Sequence, residues 1–427
     1  MKRSPILSRW LPAAFLAPAL ATLCLTAAAQ EPPPGANVAS LLDYARTHNP
    51  EYAAMRLESD AANERVLPAG ALPDPLLRVE LMNITNSGQE ASPNLLPSRV
   101  GSTKYTVIQP LPFWGKRDLK REAASAAAAS AKFAANASWT DLAARVKTSY
   151  AEYYRATLSV KLTREILDLM ARLARISQVR YASGLVPQQD VLRAQVEQTL
   201  MSSELIGMET EQHHIQSRIN ALLRRPAGAP LAAPVALRPL PAQLSLPALE
   251  QRLAEKNPQL AAQQLNIAAA EKNSELVVKN RYPDFALGIA PTQVRNRVAE
   301  WGVMLELNIP LQQDSRRAQE REARAMVSAG EARRDALQTQ FLAELSVNIE
   351  AFDAARRTEA LLRTSLNPQS DLNYQAALTA YENGKVDFAT LLEAQRQIRR
   401  SRLEELKASV EAQLRLADIE RLIGEDL

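Results

Sequence analysis

The sequence predicts a mainly α-helical chain with a small β part, built as two copies of one unit. Three observations carry that prediction. Tyr181-Ala-Ser-Gly184-Leu-Val-Pro-Gln-Gln-Asp190-Val-Leu-Arg-Ala-Gln195 returns as Tyr381-Glu-Asn-Gly384-Lys-Val-Asp-Phe-Ala-Thr390-Leu-Leu-Glu-Ala-Gln395, 200 residues later in the 427-residue chain. A repeat of that length makes each copy a supersecondary unit in its own right. Long stretches place apolar residues at steps of three and four, the spacing of a helical seam. Two short stretches alternate with period 2, as half-buried strands do, and prolines flank them.

Residues 1–29 read as an export signal: Lys2, Arg3 and Arg9, an apolar run from Leu11 to Leu25, then Ala27-Ala28-Ala29 as a cleavage site. The run is shorter than the ~20 residues a membrane-spanning helix needs. The one cysteine, Cys24, falls inside it, so the exported chain has no disulfide or thiolate chemistry.

The first copy spans 30–225. It opens at Val38-Ala-Ser-Leu-Leu-Asp-Tyr-Ala-Arg-Thr-His-Asn49-Pro50, a helical pattern that ends at Pro68, Pro73 and Pro75 because proline lacks the N–H a helix interior requires. Leu77, Val79 and Leu81 then alternate with Arg78 and Glu80, which predicts a hairpin of about 76–86 with 100–110 around a polar loop, Ser87 to Ser98. Beyond Pro110 and Pro112 a long helix is expected to Ser183, with Leu142, Val146, Tyr150, Tyr153, Ile166, Leu169 and Leu173 along its seam. About 70 residues at ~1.5 Å each reach roughly 105 Å. After Gly184 a return helix runs from Pro187 to Arg224.

Residues 226–247 are a proline-rich linker, too stiff and irregular for a helix. The second copy, 248–427, repeats the order: a helix through Asn257-Pro258, a hairpin of about 284–310 whose strands pair 284–292 with 300–310, a long helix, the Gly384 turn, and a return helix from Asp387 to Gly424. Trp301, Val303, Leu305, Leu307 and Ile309 form one face of its second strand, and Met304, Glu306 and Asn308 lie on the other. Pro368 predicts a kink or break in the second long helix. In each copy the two shorter helices together match the long one, so end-to-end stacking would fill one layer.

Of the net charge of +4, three units belong to the signal, which leaves +1 and no call for a nucleic-acid partner. The chain has three histidines, His48, His213 and His214, with no glycine-rich phosphate loop and no H-E-x-x-H. An enzyme, a cofactor and a metal site are therefore not expected. A structural coiled-coil stalk would explain the seams but not the two hairpins.

Four strands per chain cannot close a useful barrel, and open edges are not tolerated in lipid. Three chains would supply twelve strands and remove every edge. At this point the chain resembles the TolC-like outer-membrane efflux channels. The resemblance rests on the tandem repeat, the Asn-Pro of each copy, the helix–proline–hairpin–proline–helix order and the Tyr-x-x-Gly turns followed by Ala-Gln. Ala71-Leu-Pro-Asp-Pro75 and Pro110-Leu-Pro-Phe-Trp-Gly115-Lys116-Arg117 resemble the heavy-metal branch of that family.

The resemblance implies a homotrimer: a 12-stranded transmembrane β-barrel in the outer membrane above an α-helical barrel in the periplasm. It would form the exit duct of a tripartite RND-type system, conducting substrate passively from a periplasmic adaptor and an inner-membrane pump. Heavy-metal cations are the expected cargo, with drugs or secreted polypeptide as alternatives. Gly184, Leu185, Val186, Gly384, Lys385 and Val386 would contact the adaptor. Asp190, Tyr381, Thr390 and Glu393 would form the periplasmic gate, with Val386 standing where the family has an arginine. The basic groups Lys116, Arg117, Lys120, Arg121 and Arg316, Arg317, Arg321, Arg324 would sit just below outer-membrane lipid.

Overall fold

The prolines and asparagines that punctuate the sequence set where its helices begin and end. The computed structural model describes residues 33–85 and 95–427; the expected signal and Cys24, and part of the first hairpin loop, lie outside the described residues. In the first copy α1 (Val38–His48), α2 (Pro50–Glu64) and the short α3 (Val66–Ala69) lead to β1 (Leu76–Met82) and β2 (Ser102–Leu111). Then come α4 (Lys116–Ala182), whose 67 residues span about 100 Å at ~1.5 Å each, and α5 (Gln188–Leu222). The second copy has α6 (Leu246–Lys256), α7 (Pro258–Lys279), β3 (Asp284–Val294), β4 (Arg297–Asn308), α8 (Gln313–Leu361), α9 (Asn367–Glu382) and α10 (Phe388–Ile423).

Each opening helix divides in two at its Asn-Pro. Asn49 caps α2 by accepting from Tyr52 N–H at 3.0 Å, and its Nδ2 donates to the Leu222 carbonyl, the end of α5, at 2.9 Å. Asn257 does the same for α7 and α10, accepting from Leu260 N–H at 2.8 Å and donating to the Leu422 carbonyl at 2.7 Å. Proline follows because the first helical residue needs no N–H. The expected end-to-end stacking is thus a hydrogen-bonded joint: α5 meets α2, and α10 meets α7. Gly424 adopts φ +77°, and a Cβ there would come within 2.8 Å of the Lys256 carbonyl, so glycine lets the end of α10 approach the joint.

Each joint has an apolar core beside it. Leu41, Leu142, Tyr150, Ile215, Ile219 and Leu223 pack in the first copy; Leu253, Leu345, Phe352, Leu416, Ile419 and Ile423 pack in the second. The linker between α5 and α6 carries no helix or strand, and it is anchored. Tyr150 donates to the Ala236 carbonyl at 2.7 Å, and Arg238 pairs at 2.9 Å with buried Glu420, which also holds buried Lys147 of α4 at 2.6 Å.

Pro368 does not break the second long helix. The five residues Leu362–Leu366 take a π-helical turn, with Asn367 N–H bonded to the Leu362 carbonyl, and α9 continues directly. The wider turn accommodates a residue that has no N–H to offer and whose ring crowds the preceding turn.

The hairpins join into one antiparallel sheet of order β1-β2-β3-β4, because β2 of the first copy pairs with β3 of the second. The second hairpin is longer than predicted: Val294 pairs with Arg297, and Arg295, at φ +54°, begins a two-residue turn. No Asn-Gly or Asp-Gly marks that turn, which is why the sequence places the strand ends short of it. One face aligns Leu77, Val107, Ile289 and Val303 across all four strands, and it is exposed. Trp301, Val303 and Leu305 are 73%, 87% and 61% exposed. The opposite face carries Thr106, Gly288, Ala290 and Glu306. Beyond β1 and β4 the sheet has no further strand among the described residues.

The stitch at the joints is open to direct measurement. Asn257→Asp retains the capping oxygen but loses the donor to Leu422. It should lower unfolding free energy by about 1–3 kcal/mol, the cost of leaving a buried carbonyl unpaired. A wild-type denaturation curve would show that the joint does not depend on this bond.

Candidate functional site

The two glycine turns lie side by side at the end of the long helices. Gly184 and Gly384 adopt φ +72° and +68°, the left-handed region open to glycine at little cost. Leu185 N–H bonds the Arg180 carbonyl at 2.9 Å and Lys385 N–H bonds the Ala380 carbonyl at 2.8 Å, closing each helix end with the six-residue wrap common after a left-handed glycine. Below the tips, Ile166, Met170 and Leu173 of α4, Ala194 and Met201 of α5, and Tyr374, Phe388 and Leu391 of the second copy form one core. Leu185 and Lys385 are exposed, whereas Val186 is half-buried and Val386 packs against that core.

The four expected gate residues fall into three environments. Tyr381 is buried, and its hydroxyl shares a 3.1 Å hydrogen bond with Ser177 of α4 rather than with Asp190. Arg180, also on α4, lies 5.0 Å over the Tyr381 ring and donates to the Tyr381 carbonyl at 2.7 Å. An arginine therefore does meet this tyrosine, but from the first copy and not from the position of Val386. It also places a cation at the carbonyl end of α9, where the helix dipole favours one.

Asp190 is buried, and its carboxylate has no hydrogen-bond partner among the described residues. Burial pushes its pKa above 3.8; Arg193 opposes the shift and Asp387 reinforces it. Thr390 occupies the equivalent position in the second copy, where its hydroxyl and N–H donate to Asp387 at 2.7 and 2.9 Å. Those two bonds hold the Asp387 carboxyl below its usual value and cap α10. Glu393 is exposed, 4.0 Å from Arg396.

Sequence reading missed the residues that fasten the two return helices together. Glu197 of α5, nearly fully buried, accepts from Arg396 Nε of α10 at 3.1 Å, and Glu204 pairs with Arg399. Ser177 and Arg180 were missed as well. The available signal was the mismatch between twins: Arg180 precedes Tyr181, where the second copy has Ala380 before Tyr381.

At the other end of the long helices the basic groups are partly committed. Lys116 is buried and bonds Asp284 at 2.8 Å, Arg117 bonds the Gly70 carbonyl at 2.8 Å, and Arg316 bonds the Asn280 carbonyl. Lys120, Arg121, Arg317 and Arg321 remain exposed. No helix among the described residues is long and apolar enough to cross a membrane.

The profile of the family described as outer membrane efflux protein matches residues 41–223 and again 249–425, one match to each copy. No curated protein matches the sequence. Solved structures do match the fold. The outer-membrane channel OprN aligns at TM-score 0.77 and 19% identity, covering 91% of this chain and 89% of its own. CusC, whose folding and transmembrane channel formation have been described, aligns at 0.77 and 17%, covering 91% and 92%. VceC, an outer membrane protein of Vibrio cholerae, aligns at 0.76 and 15%, covering 91% and 96%. At these identities the likeness is one of fold.

The raised pKa of Asp190 has a defined consequence. A carboxyl whose folded pKa exceeds its unfolded value binds a proton more tightly when folded. Its charge therefore opposes folding above the folded pKa, and the penalty vanishes as pH falls through 3.8. Asp190→Asn should raise the thermal midpoint at neutral pH and flatten the pH dependence on the acid side. A midpoint unchanged at neutral pH and shifted only in acid would contradict this assignment.

Proposed function

This chain belongs to the outer membrane efflux protein family, and on that premise we propose that three copies assemble into the passive exit duct of a tripartite RND-type efflux system. The single observation that carries this reading is the open four-stranded sheet with one exposed apolar face, set on about 100 Å of charged helix. In lipid, the free edges of β1 and β4 would leave backbone groups unpaired at several kcal/mol each. Pairing β4 of one copy with β1 of the next removes both edges, and three copies complete a twelve-stranded barrel. The apolar face then meets outer-membrane lipid and the face bearing Glu306 lines water. The helices carry too much charge for the bilayer and extend into the periplasm. Exposed Leu192, Val196 and Leu200 form a stripe at four-residue spacing along α5, suited to lateral contact with a neighbouring copy.

The tips form the periplasmic mouth. Exposed Leu185 and Lys385 offer an adaptor one apolar and one cationic contact, presented by Gly184 and Gly384 and backed by Val186 and Val386. Asp190, Tyr381, Thr390 and Glu393 form the gate. Threefold symmetry brings three exposed Glu393 carboxylates toward one axis, where they attract cations. That ring, together with the Ala71–Pro75 and Pro110–Arg117 segments, supports heavy-metal cations as the cargo. The duct itself expends no energy and performs no catalysis.

Two measurements bear on this reading. Cells lacking the chain should lose tolerance to at least one of copper, silver, zinc, cobalt or cadmium while drug tolerance holds; increased drug sensitivity with unchanged metal tolerance would assign organic substrates instead. In planar bilayers the purified protein should form channels, and Asp190→Ala should raise their conductance. Channels indistinguishable from wild type would remove Asp190 from the closure.

A further inference from the structure

A groove at the junction of sheet and helices has no part in gate or tips. After β2, Phe113 and Trp114 turn the chain into α4, and three hydrogen bonds, two of them to one oxygen of Asp284, pin the turn. Phe113 N–H donates to Asp284 Oδ1 at 2.8 Å, Lys116 donates to the same oxygen at 2.8 Å, and Lys279 donates to the Trp114 carbonyl at 3.3 Å. So held, the Trp114 ring is 75% exposed, with its centroid 5.7 Å from that of Phe285.

Between Trp114 and the outer face of the sheet lies a cavity of about 500 Å³. That is within the about 300–1,000 Å³ of small-ligand pockets. Its floor, Phe285, Leu287 and Leu305, is continuous with the exposed apolar face. Its helical rim carries Arg117 and Arg121. Arg117 places Nε and Nη2 on the Gly70 carbonyl at 3.0 and 2.8 Å, which fixes the guanidinium at the rim. Arg121 lies 3.2 Å from Asp118, an exposed pair worth little on its own. Two arginines against one aspartate leave the rim positive.

We infer that this groove binds one anionic glycerophospholipid of the periplasmic leaflet, with an acyl chain on the Phe285–Leu287–Leu305 floor and its phosphodiester at Arg117 and Arg121. The inference rests on the outer-membrane reading above. Aromatic and basic side chains meet at one level, the foot of the strands, where a bilayer changes from hydrocarbon to headgroup. Guanidinium matches phosphate in geometry as well as charge. A free phosphate makes no use of the apolar floor, and a neutral amphiphile makes no use of the arginines. The bound lipid ties the pinned turn to the leaflet and so fixes the depth of the sheet in the membrane.

The test uses the full-length protein, purified from outer membranes in neutral detergent and titrated with phosphatidylglycerol or phosphatidylethanolamine under native mass spectrometry. Wild type should prefer phosphatidylglycerol by about fivefold, the scale of one basic residue near an anionic surface. Arg121→Gln, whose guanidinium bonds only Asp118 among the described residues, should abolish that preference without disturbing the fold. Trp114→Ala should weaken both lipids. Equal binding by wild type and Arg121→Gln overturns the inference, and so does occupancy by detergent alone. Recovery of the chain from the soluble periplasmic fraction sinks the outer-membrane reading and this inference together. Recovery from the outer membrane without lipid discrimination sinks the inference alone.

Discussion

Two buried asparagines make a continuous layer out of helices that are separate in the chain. A helix ends with carbonyls that have no partner and begins with N–H groups that have none. Where α5 abuts α2, and α10 abuts α7, both kinds of orphan meet in a dry place. Asn49 and Asn257 serve each side at once: the side-chain oxygen takes an N–H of the beginning helix and the side-chain nitrogen gives to a carbonyl in the last turn of the ending one. The proline after each asparagine removes one orphan N–H outright. Aspartate would lack the donor and serine the reach. With the joints closed, the return and opening helices run as one layer against α4 and against α8–α9, and the sheet and the glycine tips are carried to opposite ends.

The sheet imposes the second constraint. Its two hairpins come from different copies and meet through β2 and β3, so the duplication that lengthens the helical layer also widens the sheet. It remains an open strip, apolar outside and largely small or polar inside, and such a strip is compatible with lipid only once its edges are paired. The pinned turn at Phe113–Trp114 and the Lys116–Asp284 bond join strip to helices, so the height of the sheet is set by the same residues that begin α4.

The copies are twins in topology and unequal in chemistry. The first has a 67-residue helix without interruption; the second takes a π turn before Pro368. The first carries Arg180, Pro187 and Asp190 where the second carries Ala380, Asp387 and Thr390. Arg180 consequently reaches across to clamp the end of α9, while Asp387 caps its own helix with the help of Thr390. The first tip leaves Asp190 without a hydrogen bond to its carboxylate among the described residues, and the second satisfies its own Asp387 through Thr390.

Much of this was legible in the residues. The 200-residue repeat, the change of period from 3.6 to 2 and back, and the proline and glycine punctuation determined the long and return helices, both hairpins, the tips and the linker, though not the division of each opening helix at its Asn-Pro. Each of these is a local property, set by backbone propensity and by which face of an element is apolar. What only the tertiary structure decided are the contacts between groups far apart in the chain: the asparagine joints, Ser177 and Arg180 on Tyr381, Glu197 on Arg396, and the pairing of β2 with β3. Such contacts depend on the rotation of each helix about its axis and on the register between elements. A shift of one residue turns a helix by about 100° and moves a strand's side chains to the opposite face, so the sequence named the residue types at the tips while packing chose which of them meet.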